Sequence, residues 1–122
     1  MAFGETDPSE QRGGAVNNQT SVPGKVTFSR RELDRILGLY GRMVAAGEWR
    51  DYAIDFLRDR AVFSVFRRSS EVPLYRIEKD PRLARKQGAY SVVAPAGLIL
   101  KRGHDLIRVL SVLEARPRLV GA

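Results

Sequence analysis

The sequence contains no cysteine, which excludes disulfide bonds, thiolate metal ligands and cysteine nucleophiles. It contains one histidine, His104, so every histidine-based catalytic or metal site would depend on that residue. The longest uncharged segment, residues 87–100, has 14 residues and is broken by proline and glycine, whereas a membrane span needs about 20 apolar residues. The first ten residues carry three acidic side chains and no apolar run, unlike a secretion signal. We therefore expect a cytoplasmic protein without a membrane anchor.

Acidic residues are missing between Pro81 and His104, although this segment holds five basic residues: Arg82, Arg85, Lys86, Lys101 and Arg102. The whole chain has 21 basic and 14 acidic residues and a formal net charge of +7, so these five account for most of the excess. An excess confined to one segment can form an electrostatic binding site, whereas an even spread mainly favours solubility. Polyanions such as nucleic acids are the partners that this segment favours.

An ordinary balance of apolar and charged residues predicts one globular domain. The chain has 122 residues, of which 43% are hydrophobic and 29% are charged, and this length fills one core rather than two. Residues 1–24 are rich in small polar residues, glycine and proline, and their few apolar residues show no periodicity. We predict a disordered tail over residues 1–24 and a single domain over residues 25–122.

A first helix is predicted between Ser29 and Gly47. Ser29 and Glu32 have the spacing of a capping box, in which each side chain bonds to the backbone amide of the other. Gly47 is typical of a helix end. Gly38 and Gly41 each cost about 1 kcal/mol relative to alanine inside a helix, which indicates close approach of another backbone, most simply the last helix. One buried face is predicted from apolar residues at helical spacing: Leu33, Ile36, Leu37, Tyr40 and Val44.

Alternation of apolar and polar residues then replaces the helical spacing. Residues 52–57, 61–66 and 74–79 are predicted to form three strands, the second of them central because it is rich in β-branched and aromatic residues. A tight turn at residues 59–60 and a loop over residues 69–73 join them. Connections this short favour an antiparallel meander.

A short helical turn and a hairpin follow the meander. Asp80 and Pro81 are typical of the N-cap and first position of a helix, and Gly88 is expected to end the turn. Residues 90–94 and 98–100 are predicted to pair around residues 95–97, where proline sets φ and glycine accommodates a positive φ.

The last helix is predicted to begin near Asp105 and to end at Pro117. Its apolar residues cover a wide arc, so we expect it to be the more deeply buried helix. The order of elements predicts an α+β domain. Its antiparallel sheet has about five strands, a three-strand meander plus a hairpin, with an N-terminal and a C-terminal helix packed on one face.

The predicted hairpin places basic residues from two segments at the same end of the sheet. Its strands run antiparallel, so Lys101 and Arg102 lie close to the residues just before Tyr90. A helix follows at once, and the free amides of its first turn attract anions. The alternative is that Asp105 or His104 caps the helix and the cations are only solvated. The predicted phosphate-binding residues are Arg85, Lys86, Lys101, Arg102, Gly103 and His104.

Three classes of function remain open from the sequence. The leading one is a non-enzymatic module whose basic end binds polyanions, chiefly the nucleic-acid backbone. The second is an accessory protein that contacts another protein, or a second copy of itself, through an apolar surface around the first helix and Trp49. The third is an enzyme that acts on a phosphorylated small molecule at the helix start beside His104.

No cofactor or metal site is predicted. Asp51, Asp55 and Asp59 are spaced by four residues, but they fall on a predicted strand and turn, where the helical alignment of such carboxylates is lost. No glycine-rich phosphate loop and no serine nucleophile motif is present in the sequence.

Four segments resemble a small bacterial family of unknown function, found chiefly in alphaproteobacteria. They are LYGRMVAAGEWRDY at residues 39–52, AVFSVFRR at 61–68, PLYRIEK at 73–79 and LKRGH at 100–104. The similarity covers roughly residues 26–114 and leaves out the N-terminal tail. It implies one intact domain, and it implies no activity and no catalytic residue.

Overall fold

The five strands form one antiparallel sheet in the order β1-β2-β3-β4-β5, so every strand pairs with its neighbour in sequence. The structure is a computed structural model, and it describes residues 23–68 and 72–115. The elements are α1 (Arg30–Ala45), β1 (Asp51–Phe56), β2 (Ala61–Phe66), β3 (Tyr75–Lys79), β4 (Tyr90–Val93), β5 (Ile99–Gly103) and α2 (Leu106–Ala115), with 3₁₀ turns at Pro81–Leu83 and Pro95–Gly97. The predicted α+β architecture is confirmed.

Both helices pack against one face of the sheet. Phe63, Ile77 and Val92 lie side by side across three strands and are fully buried. They join buried residues of both helices, such as Ile36 and Val109, in a single core. Each strand presents alternate residues to this face. The central strand β2 is buried on both faces, so its sequence is almost continuously apolar. Most of the predicted tail and the predicted helix end at Pro117 lie outside the described residues.

Helix α1 begins and ends as its sequence predicts. The Glu32 amide donates to Ser29 Oγ at 3.1 Å and the Ser29 amide donates to Glu32 Oε1 at 2.7 Å, which completes the capping box. At the other end Gly47 has φ +78°, its amide donates to Val44 O at 2.9 Å, and the Glu48 amide donates to Met43 O at 2.9 Å. These last two bonds form a Schellman motif, which needs the left-handed conformation that glycine adopts without strain.

The buried face of α1 differs from the one predicted. Ile36 and Leu39 are buried, whereas Leu37 is 38% exposed and Val44 is 40% exposed. The apolar spacing of α1 therefore covers a wider arc than the core uses, and one edge of that arc faces solvent.

The explanation predicted for the two glycines inside α1 is wrong. A Cβ added at Gly41 would meet nothing within 4 Å, and one at Gly38 would meet only the end of the Arg42 side chain at 3.6 Å. No backbone of α2 approaches either glycine closely enough to require the absence of a side chain.

The turn before β4 is built on close contact between two glycines. The 3₁₀ turn Pro81–Leu83 is capped by the Asp80 carboxylate, which accepts from the Arg82 amide at 3.1 Å. Gly88 ends the turn with φ +101°, as predicted, and a Cβ there would lie 2.1 Å from the carbonyl carbon of Gly103. The end of β5 therefore packs directly against the backbone of this turn.

The β4–β5 hairpin uses a residue that was not expected to adopt a positive φ. Gly97 has φ +83°, but Ala96 also adopts the left-handed region with φ +67°. The Gly97 amide donates to Ala94 O at 3.1 Å, so Ala96 occupies the third position of a type II turn, where glycine is favoured.

We predict that Gly88→Ala lowers the free energy of unfolding by about 2 kcal/mol or more, because it combines an unfavourable φ with a backbone clash. Gly41→Ala is the matched control. It should raise the free energy of unfolding by about 1 kcal/mol, since a side chain at that helical position meets open space. Urea unfolding measures both, and equal effects of the two substitutions would contradict the glycine contact.

Ala96→Gly should stabilise the protein by about 0.5–1 kcal/mol, because glycine removes the strain of a left-handed alanine at some cost in chain entropy. The same urea assay checks this value. A loss of stability would show that the turn does not hold Ala96 at a positive φ.

Candidate functional site

Three connections line one end of the sheet. This end is marked by the paired residues Phe56 and Ala61 of β1 and β2, and by Tyr90 and Gly103 of β4 and β5. The β1–β2 turn, the segment containing the 3₁₀ turn Pro81–Leu83 and the end of β5 all lie there. The basic residues of these connections are therefore neighbours in space although they are far apart in the sequence.

Arg102 lies beside the turn that carries Arg85 and Lys86. Its Nη1 donates to Gln87 Oε1 at 2.6 Å, and Gln87 directly follows Lys86. Ser91, the partner of Arg102 in the β4–β5 pairing, is on the sheet face away from the helices. Three of the predicted basic residues therefore lie at the same end of the sheet.

Lys101 is oriented differently from Arg102. It pairs with Val92, whose side chain is in the core on the helix side of the sheet, whereas Arg102 pairs with Ser91. Successive residues of a strand point to opposite faces, so these two cations leave β5 in opposite directions. Lys101 and Arg102 therefore do not share one surface, contrary to the prediction from the sequence.

The start of α2 is not an open anion site. Asp105 Oδ1 accepts from the Ile107 amide at 3.0 Å, and Asp105 Oδ2 lies 3.8 Å from Arg108 Nε. A carboxylate of the chain itself therefore occupies the position that an anion would take. Gly103 packs against Val109 Cγ2, which a Cβ at that glycine would approach to 3.3 Å, and His104 is exposed. The alternative in which Asp105 caps the helix is the one that the structure adopts.

Arg82 links the β1–β2 turn to the 3₁₀ turn. Its guanidinium contacts Asp80 Oδ2 at 3.1 Å and Asp59 Oδ2 at 3.5 Å. The hydrogen bonds from Arg82 hold the pKa of Asp80 below its usual value, and Asp80 in turn raises the pKa of Arg82. Asp59 and Asp80 are thus both bound to Arg82.

The cations at this end outnumber the acids available to neutralise them. Arg60 contacts Glu78 Oε1 at 3.7 Å. Arg58, Arg85 and Lys86 are exposed and form no ion pair with any residue that the structure describes. We call the whole set the basic rim: Arg58, Arg60, Arg82, Arg85, Lys86 and Arg102.

Arg58 and Arg60 were not predicted as members of this set. The sequence does indicate their position. Neighbouring strands of an antiparallel sheet alternate in direction, so the β1–β2 turn lies at the same end of the sheet as the β3–β4 connection. Three further arginines of the β2 and β3 segments, Arg67, Arg68 and Arg76, do not extend the rim. Arg76 Nε instead contacts Glu78 Oε2 at 3.1 Å, and the other two follow β2 at the opposite end of the sheet.

A buried polar network lies beneath the rim, where α1 begins. Lys79 Nζ donates to Glu32 Oε1 and to Thr27 O, both at 2.9 Å, and the Tyr90 hydroxyl donates to Glu32 Oε2. The pKa of Glu32 is lowered: burial alone would raise it, but the hydrogen bonds from Tyr90, Lys79 and the Ser29 amide outweigh that effect. Burial, followed by the bond to Glu32, raises the pKa of Tyr90.

This network makes two side chains near the rim, one lysine and one tyrosine, unavailable to a ligand. Lys79 is buried and neutralised, so it contributes nothing to the surface charge. Tyr90 is half-buried and holds its hydroxyl on Glu32, so it is not an exposed platform on which a base could stack. The signal that sequence reasoning missed is the lysine at a core-facing position of β3, because a buried ammonium group requires a carboxylate partner.

Among residues 23–68 and 72–115, no group of three or more histidine, aspartate or glutamate side chains is arranged to hold a metal ion. Within the same part of the chain, no helix is long and apolar enough to cross a membrane.

Comparison with known proteins identifies the family. The model of the family described as "Protein of unknown function (DUF2794)" matches residues 26–110. The chain belongs to this family. The match covers α1, all five strands and the first half of α2, so the whole sheet and the basic rim lie within the DUF2794 domain. No curated protein and no solved structure matches the chain. The expected bacterial origin stays a prediction.

Glu32→Gln should destabilise the DUF2794 domain by about 2 kcal/mol or more at pH 7, because it leaves the buried Lys79 ammonium without a counter-charge. The folded state lowers the pKa of Glu32, so its contribution is present above the ordinary value of 4.5 and is lost as the pH falls through the folded-state value. When the pH falls from 7 to below about 4.5, the free energy of unfolding should therefore decrease less in the variant than in the parent.

Glu114→Gln is the control, since Glu114 forms an exposed ion pair with Arg42 at 2.8 Å and should contribute less than about 1 kcal/mol. Urea midpoints at pH 7, 4.5 and 3 measure both variants. The same pH dependence in Glu32→Gln and in the parent would rule out the proposed role of this carboxylate.

Proposed function

We propose that this DUF2794 protein is a non-enzymatic module that binds polyanions through the basic rim, with the phosphate backbone of nucleic acid as the main ligand. The observation that carries the proposal is the state of the acids at this end of the sheet. Asp59 and Asp80 are bound to Arg82, and Asp105 caps α2. The remaining rim cations therefore keep positive charge available for an external anion.

The arrangement favours contact with phosphates over contact with bases. Recognition of single strands by stacking needs exposed aromatic rings beside the cations. Within the described residues, Tyr90 is half-buried and bonded to Glu32, and the exposed Tyr52 is in β1 on the helix side of the sheet. Backbone binding is largely independent of sequence, so we expect similar affinity for unrelated duplexes of the same length.

The geometry does not favour the site proposed for either alternative function. Trp49 is 4% exposed and packs near Tyr40, with ring centroids 6.4 Å apart, so it cannot be the anchor that meets a partner protein. The helix start beside His104, expected to hold a phosphorylated substrate, has Asp105 in the anion position. A cytoplasmic location fits a nucleic-acid ligand and stays a prediction.

Charge reversal of the rim tests the proposal. Arg85→Glu combined with Lys86→Glu should weaken binding to a labelled duplex by at least about tenfold at low salt. It should also reduce the slope of log K against log salt concentration by about two, because two phosphate contacts are lost. Fluorescence anisotropy at several salt concentrations measures both quantities.

The control is the double variant Arg50→Glu and Arg67→Glu, which makes the same change in net charge at two exposed positions at the opposite end of the sheet. Its slope should stay close to that of the parent. Equal losses in the two double variants would mean that net charge alone drives binding, and the rim proposal would be abandoned. Two single variants test which face of β5 takes part in binding. Arg102→Glu should weaken binding more than Lys101→Glu, because Lys101 is on the other face of the strand.

A further inference from the structure

Strand β1 lies at an edge of the sheet and is flanked by an apolar strip of α1. In the strand order β1 has a neighbour on one side only, so half of its backbone amides and carbonyls are not used within the described sheet. An exposed edge of this kind accepts an additional strand through main-chain hydrogen bonds.

The strip of α1 that faces β1 is apolar along three turns. Leu33, Leu37, Tyr40 and Val44 follow one another at spacings of four, three and four residues, which places them on one side of the helix. The Tyr40 ring meets the Tyr52 ring edge-on, with centroids 4.9 Å apart, so this side of α1 adjoins β1.

Three apolar or aromatic side chains of this region stay exposed. Leu37, Val44 and Tyr52 are 38%, 40% and 45% exposed, and the first two belong to α1 whereas the third belongs to β1. We call the space between the α1 strip and the free edge of β1 the edge groove. A strand added to β1 would place every second side chain into it.

The other face of β1 carries two carboxylates that the described residues do not neutralise. Asp51 and Asp55 lie opposite Phe66 and Val62 of β2, and neither forms an ion pair with a described residue. They are four residues apart on a strand, about 13 Å, and both point away from the helices.

We propose that the edge groove binds an extended segment of a partner protein in which apolar and basic residues alternate. The apolar side chains would pack against Leu37, Val44 and Tyr52, and the basic side chains on the opposite face would pair with Asp51 and Asp55. The added strand would extend the sheet beyond β1. This surface lies along β1, at the opposite edge of the sheet from β5, and it meets the basic rim only at Arg58 and Arg60 of the β1–β2 turn. The proposal does not rest on the polyanion function.

A second copy of this chain is a poorer occupant. Pairing β1 with β1 of another copy would bring Asp51 and Asp55 of both chains to one face of the extended sheet, with no basic residue of either strand among them. Like charges on neighbouring strands are destabilising. A basic strand instead supplies the missing counter-charges.

The test uses the full chain, labelled with ¹⁵N, and two blocked peptides of about eight residues. One alternates valine with lysine and the other alternates valine with glutamate. The protein has a net charge of +7, so non-specific attraction favours the glutamate peptide. The proposal predicts that the lysine peptide binds more tightly and that it shifts the amides of β1 and of the adjoining side of α1.

Asp55→Lys provides the matched variant, since Asp55 is exposed and outside the core. It should weaken binding of the lysine peptide by about fivefold and strengthen binding of the glutamate peptide, while Arg85→Glu should leave the lysine-peptide affinity within about twofold. A scrambled lysine peptide with its valines grouped together should bind more weakly than the alternating one.

Three outcomes would overturn the proposal. One is tighter binding of the glutamate peptide, and another is an unchanged lysine-peptide affinity in Asp55→Lys. The third is broadening of the β1 amides that depends on protein concentration without any peptide, because it would assign the groove to a second copy.

Discussion

The carboxylate of Glu32 is the contact on which the arrangement of this domain most depends. It closes the capping box of α1, neutralises the buried ammonium group of Lys79 on β3 and accepts from Tyr90 on β4. One side chain therefore joins the start of the first helix to two strands that are 47 and 58 residues away in the sequence. A buried lysine without such a partner would cost several kcal/mol, so the network specifies where α1 meets the sheet.

Two regions of the surface differ in how their charged side chains are paired. At the end of the sheet below the first turn of α1, the acids are bound internally and the basic rim keeps its charge. Along β1, α1 covers only part of the helix-side face, and Asp51 and Asp55 remain unneutralised on the other. A net charge of +7 therefore coexists with two carboxylates that no described residue neutralises, and the two regions suit different partners.

Local signals in the sequence predicted the elements well because each depends on neighbouring residues. The capping box at Ser29, the left-handed Gly47 and the β-branched and aromatic residues of 61–66 are all local features, and the structure contains the cap, the glycine turn and the strand. The errors concern contacts between distant segments. Gly38 and Gly41 meet no other backbone, Leu37 and Val44 are not in the core, and Lys101 points away from Arg102.

The α+β class, the number and order of the strands and the segment that carries the excess charge follow from the sequence alone. Periodicity, turn chemistry and the distribution of charged residues are properties of the chain before it folds. Which cations share a surface, and which acids neutralise them, follows from the folded arrangement of the strands and turns. These depend on strand register and on partners such as Gln87 for Arg102 and Asp59 for Arg82, and no local pattern encodes a contact across so many residues.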